Sequence, residues 1–276
     1  MDLLQEFLNH PAVQAGVAPF VAALVAALLF RPLKLSGLAI AAGFAVAVYL
    51  IAGFEFTPLS TIRKIFLVGL LSPIAGIAID LLGKRVRAMH WIVGTLCGAL
   101  TVWVFFAVLK QKQGAVPWMM GGGVALFVAW LSGSMVALRA DAPRAGAAAL
   151  MLGLGVGVCA VLGASASFGQ YGIALAASSG AYLLAMVMLR PGMPGGATLA
   201  LPAALIAGLL AVGTLILASL PWAALAAFAL IPWFARLPAP DKAPAWIKAG
   251  LFSVYALVPA IVACALAWHA ATAAPS

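Results

Sequence analysis

Residues 57–87 read TPLSTIRKIFLVGLLSPIAGIAIDLLGKRVR. From Ile65 to Gly83 the only charge is Asp80, and nineteen residues at about 1.5 Å each give about 28 Å of helix, the thickness of a bilayer's hydrocarbon layer. Thr57 before Pro58 has the form of a helix start, a capping hydroxyl followed by a residue pre-shaped for the first turn. At about 100° per residue, Gly69, Ser72, Gly76, Asp80 and Gly83 share a sector of about 80°, while Leu67, Leu70, Leu71, Ile74, Ile77, Leu81 and Leu82 fill the rest. In lipid the bulky face meets acyl chains and the small, polar face meets other helices, so Asp80 is expected to point into the protein. Pro73 removes a backbone hydrogen bond near the middle of the span and predicts a kink or local loosening there.

Outward from this stretch the whole chain has the same character. Its 276 residues are 66% hydrophobic and 8% charged, with a mean hydropathy of +1.18, far outside the range of soluble globular proteins. The net charge of +9 comes from fifteen Lys and Arg scattered between apolar runs, not from a clustered face that could follow phosphates, which argues against nucleic acid as a partner. Cys97, Cys159 and Cys264 each fall within a span and none has a CxxC neighbour, so they read as small packing residues. The first ten residues, MDLLQEFLNH, are acidic where a secretory signal is basic, and cleavage is not expected.

Hydropathy divides the chain into ten segments: 11–30, 35–54, the stretch above, 91–109, 117–138, 145–165, 171–189, 198–219, 221–235 and 246–268. The reading is an all-α, polytopic transmembrane bundle of about ten spans. It becomes nine if 221–235 does not cross, since fifteen residues make only about 22 Å and suit a re-entrant or interfacial segment. Placing both termini outside puts eleven basic residues in the cytoplasmic connections and four, Arg63, Lys64, Lys110 and Lys112, in the outer ones, as the positive-inside rule asks. Trp91, Trp118, Trp222, Trp233, Trp246 and Trp268 lie near span ends, where indole favours the headgroup level. The chain forms a single integral membrane domain, and halves 1–138 and 145–276 joined by a short loop would be inverted relative to each other, having five spans each. Abundant alanine and glycine suggest a bacterial cytoplasmic membrane.

Asp80 is the first candidate for function, because acids within spans are costly and often mark ion or proton pathways. Its structural alternative is a pair with Lys84, one turn on. Glu55, Arg63 and Lys64 form a second cluster on the expected outer side, either a solvated pair or an outward gate. Ser72, Gly76, Thr101, Ser178 and Ser179 could line a polar path with Asp80, or, as hydroxyls in spans commonly do, bond backbone carbonyls and neighbouring helices. Gly153 and Gly157 have the spacing of a close-contact helix pair, and Gly121 to Gly123 suit either packing or an unwound segment beside a cavity.

Known membrane chemistries find little to use. No histidine lies within a span to serve a nucleophile, no His-Glu-x-x-His occurs, and Asp80 has no second acid to form an aspartyl dyad. No catalytic, metal or cofactor-binding residue is assigned, and no cofactor is expected. The expected partner is the lipid bilayer, together with a small solute or a second membrane protein. The favoured expectation is a transporter- or permease-like protein, proton-coupled through Asp80, that moves a small solute along the polar face of its third helix. The alternative is a non-transporting scaffold or assembly subunit.

Overall fold

The computed structural model describes residues 10–82, 88–189, 193–218, 220–240 and 242–273. All regular structure among them is helical: α1 (Val13–Leu29), α2 (Ser36–Ala52), α3 (Thr61–Leu82), α4 (Met89–Leu109), α5 (Val116–Ala137), α6 (Ala142–Leu162), α7 (Ala166–Met188), α8 (Gly196–Leu217), α9 (Trp222–Phe234) and α10 (Ala245–Ala273). Seven are long and apolar enough to cross a membrane, and α1, α2 and α9 are shorter apolar helices. The protein is a helical membrane bundle.

The organising helix of the bundle is α8. Every residue from Ala197 to Thr214 is buried, which is what a helix that is apolar all round must achieve. It packs against α3, α5 and α6, with α7 and α2 also touching it. The most extensive pair is α6 with α7, and glycine is the reason. A Cβ on Gly153 would stand 2.5 Å from the backbone nitrogen of Ala176, and one on Gly172 would stand 2.5 Å from Gly157 Cα. The two backbones touch, as the spacing of Gly153 and Gly157 predicts.

The start of the third helix differs from the sequence expectation, and two local features inside helices are defined. The third helix starts at Thr61 rather than Pro58, with Ser60 Oγ accepting from Arg63 N at 3.4 Å and the Arg63 guanidinium donating to the Pro58 carbonyl at 2.8 Å. Serine outranks threonine as a cap, and it stands one residue before the helix. Gly121 to Gly123 are not unwound; they lie inside the continuous α5, where Gly123 receives the Trp222 ring. Within α3, Pro73 causes no break in the helix. Its missing N–H would have bonded the carbonyl of Gly69, and the Ser72 hydroxyl donates to that oxygen at 2.7 Å, the repair that serine offers beside an intramembrane proline.

The short α9 runs alongside α5 in the same direction. Trp222 lies against Gly123, and Arg236, just past the helix, donates to the Ser134 carbonyl at 3.2 Å. The following loop then meets the start of α6 through Arg144 and the Leu237 carbonyl at 3.5 Å. The segment thus returns the chain to the end of the bundle where α6 and α8 begin.

Candidate functional site

The ridge of α3 faces inward, and α8 covers it. A Cβ on Gly76 would lie 2.8 Å from Thr198 Cα, and one on Gly69 would lie 2.8 Å from the Phe44 ring and 3.0 Å from Ile206. Ser72 is 4% exposed. Small residues let the two backbones approach closely.

Asp80 ends this ridge and has a definite partner, the N-terminus of α8. Its Oδ1 accepts from Ala197 N at 2.8 Å and its Oδ2 from Thr198 N at 3.2 Å. The residue before α8 is Gly195, which carries no side chain to cap the helix, so a carboxylate from α3 does so instead. Four N–H groups at a helix start lack intrahelical acceptors, and the helix dipole is positive there, so an anion at this point satisfies both demands. The turn is shaped to admit it. Gly196 has φ +65°, its N–H donates to the Arg139 carbonyl at 3.2 Å, and any Cβ on it would collide with Asp80 Oδ2. The alternative partner, Lys84, lies outside the described residues.

The other expected hydroxyls bond backbone carbonyls and not Asp80. Thr101 Oγ1 donates to Cys97 O at 2.8 Å, Ser178 to Ala174 O at 2.7 Å and Ser179 to Leu175 O at 2.8 Å, each within its own helix. All three are fully buried. At the other end of α3, Arg63 meets Glu55 at 3.6 Å, with the Glu55 side chain 79% exposed, a solvated pair of little energetic weight. Lys64 turns away from that pair and sets its ammonium 4.8 Å above the Trp103 ring.

Beside the ridge lies a feature that hydropathy did not reveal. The helices α3 and α4 are sequence neighbours but touch only sparingly, and between them runs a cleft of about 570 Å³. Its walls include Ala75, Ala78, Leu96 and Cys97, its floor is Leu201 and Leu205 of α8, and Trp103 stands at one end. Among the described residues Ser72 is the one hydroxyl in the lining, and its proton is held by Gly69 O. From Met89 to Trp103 the cleft follows α4 for about 21 Å at 1.5 Å per residue. Among the described residues no group of three or more His, Cys, Asp or Glu could hold a metal ion. The surface is suited to dispersion contact with hydrocarbon and offers a polar solute almost nothing to bond.

Sequence reading also missed a cysteine pair. Cys159 of α6 and Cys264 of α10 lie 105 residues apart, with their sulfurs 3.7 Å from each other. No local spacing announces such a pair; only the α6–α10 packing brings it together. Comparison with protein-family models and with curated protein sequences finds no match for the chain.

Proposed function

We propose that this chain is a permease-like membrane protein that admits an apolar or amphiphilic molecule sideways from the bilayer into the cleft between α3 and α4. The observation that carries the reading is the cleft itself, a 570 Å³ groove with an almost wholly apolar lining between two helices long and apolar enough to cross a membrane. The polar ridge of α3, by contrast, is committed to holding α8: Gly76 by contact, Ser72 by repairing the proline turn, Asp80 by capping. Solute movement therefore belongs beside the ridge and not along it, with Ser72 the residue common to both. Lys64 above Trp103 supplies a cation at one mouth, which suits a substrate with a polar or anionic head.

We further place the protein in a bacterial cytoplasmic membrane with both termini outside and Lys64 at the outer surface. The uneven spread of basic residues along the sequence supports the orientation, and the abundance of alanine and glycine supports the bacterial membrane. Two halves, 1–138 and 145–276, fit the neighbour pairs α1/α2 and α6/α7, α4/α5 and α9/α10, and α3 set against α8. The extensive α6–α10 contact has no comparable α1–α5 counterpart, so the halves are not alike in detail.

The experiment is transbilayer movement of a headgroup-labelled fluorescent phospholipid in proteoliposomes, read by quenching of the outer leaflet. Wild-type protein should accelerate the movement, and Ala78→Trp, which fills the cleft, should return it to the rate of empty vesicles. A second reading, a non-transporting assembly subunit, draws on exposed Ala75 and Ala78, small residues of the kind that receive a partner's helix. It predicts lipid movement at the empty-vesicle rate and a co-purifying membrane protein that Ala78→Trp displaces.

A further inference from the structure

A second groove, separate from the α3/α4 cleft, lies between α5 and α9, and the two ends of this groove differ in chemistry. At one end a small pocket of about 130 Å³ is lined by His90, Trp130, Ser134, Trp233 and Arg236. Trp130 also lines a larger apolar groove of about 440 Å³, which continues along Leu126, Phe127, Leu225 and Ala226 to Gly123 and Trp222. Trp130 is common to the two linings, so a basic head and an apolar tail meet on either side of its ring.

The head is built rather than incidental. Arg236 is held in place by donating through Nη2 to the Ser134 carbonyl at 3.2 Å and by lying 5.4 Å from the Trp233 ring centre. A guanidinium has five N–H donors, so most remain available to a planar or tetrahedral oxyanion. Among the described residues no carboxylate belongs to the pocket lining. Below it, Trp130 and Trp233 stack at 5.9 Å with 8° between their planes, and Trp130 Nε1 donates to Ala229 O at 3.1 Å. Indoles favour the level between headgroup and hydrocarbon. From Ser134 to Gly123 the groove follows α5 for about 16 Å, close to half of the roughly 30 Å hydrocarbon layer, the depth of one leaflet. Trp222 closes the far end at 3.0 Å from where a Gly123 Cβ would be.

We propose that this groove is a binding site for an anionic glycerophospholipid, its headgroup on Arg236 and one acyl chain lying between α5 and α9. Charge and shape select this occupant together. A free phosphate would leave the apolar length bare, and an uncharged apolar molecule would leave Arg236 unanswered.

The test is native mass spectrometry of the full chain in mild detergent, exposed to equal amounts of phosphatidylglycerol and phosphatidylcholine. Wild type should retain phosphatidylglycerol over phosphatidylcholine by about fivefold, as one basic side chain at an anionic surface supplies. Arg236→Gln should bring the ratio near one, Arg236→Lys should preserve most of it, and Ala226→Trp, which fills the tail groove, should reduce retention of both lipids. Equal retention by wild type, an unchanged preference in Arg236→Gln, or displacement of the lipid by inorganic phosphate at the same concentration would overturn the proposal. Should Arg236→Gln fail to fold, Ala226→Trp, which leaves the basic head intact, decides: lipid retained at the wild-type level refutes the groove and lipid lost supports it. None of these readouts depends on lipid movement through the α3/α4 cleft, so the two proposals stand or fall separately.

Discussion

Replacing Asp80 separates a capping carboxylate from an ion-carrying one, because the two roles predict opposite signs. Two backbone N–H groups, of Ala197 and Thr198, bond the carboxylate at 2.8 and 3.2 Å. Hydrogen bonds to a charged group contribute about 1.5–3 kcal/mol each. The site is half-buried, so water recovers part of that in a truncated variant, and Asp80→Ala is expected to cost about 2–4 kcal/mol. Asp80→Asn keeps one acceptor oxygen and loses the charge facing the helix dipole, so it should cost about half as much. The assay is reversible unfolding in mixed micelles with rising SDS, followed by circular dichroism, together with hydrogen exchange at the amides of Ala197 and Thr198. Exchange should quicken at these two amides first. An intramembrane acid kept for proton transfer without firm partners is a burden on stability, and removing its charge would leave the protein as stable or more so. An Asp80→Asn protein no less stable than wild type, with unchanged exchange at the start of α8, would refute the capping argument.

Further outcomes follow from the same contacts. Ser72→Ala should destabilise by about 1 kcal/mol, since it leaves the Gly69 carbonyl without its donor beside Pro73, and Ser72→Thr should restore most of the loss in the same unfolding titration. Gly76→Leu should cost more than about 2 kcal/mol and disturb α8, because even a Cβ there stands 2.8 Å from Thr198 Cα; wild-type stability would mean that α3 and α8 are farther apart than described. Mild oxidation with copper phenanthroline should link Cys159 to Cys264, detected as a joined peptide by mass spectrometry after alkylation, while Cys97 remains a free thiol. Glu55→Gln should leave stability unchanged within error, as expected of a pair whose acid is 79% exposed.

The inward turn of the Gly69–Ser72–Gly76–Asp80 ridge could be read from spacing alone, because lipid and protein neighbours ask for different side chains and the helical period keeps them on separate faces. The burial of α8 was not legible in the same way, because α4, α5 and α9 also carry no charge yet keep exposed faces. What Asp80 does could not be read that way. Its partner is a backbone terminus 117 residues away, and backbone N–H groups carry no signature in a sequence; the clue was negative, a long helix opening on Gly195 and Gly196 with nothing of its own to cap it. Ser72 next to Pro73 did carry its role locally, in the single hydroxyl able to reach the carbonyl that proline strands. The α3/α4 cleft was invisible because hydropathy records that Leu96 and Ala78 are apolar but not whether they touch each other or stand apart. The Cys159–Cys264 pair and the α5/α9 groove share that limitation, since both depend on which helices become neighbours.

The space beside α3 is proposed to be open to hydrocarbon. Photolabelling in native-composition bilayers with a phospholipid bearing a diazirine along its acyl chain tests it most directly, with labelled positions mapped by mass spectrometry. Label is expected on Ala75, Ala78 and Leu96 inside the cleft as well as on outward residues such as Val258 and Ile261, with the cleft label alone removed by Ala78→Trp. Label confined to the outward faces, with the cleft walls untouched in the wild-type protein, would contradict this proposal.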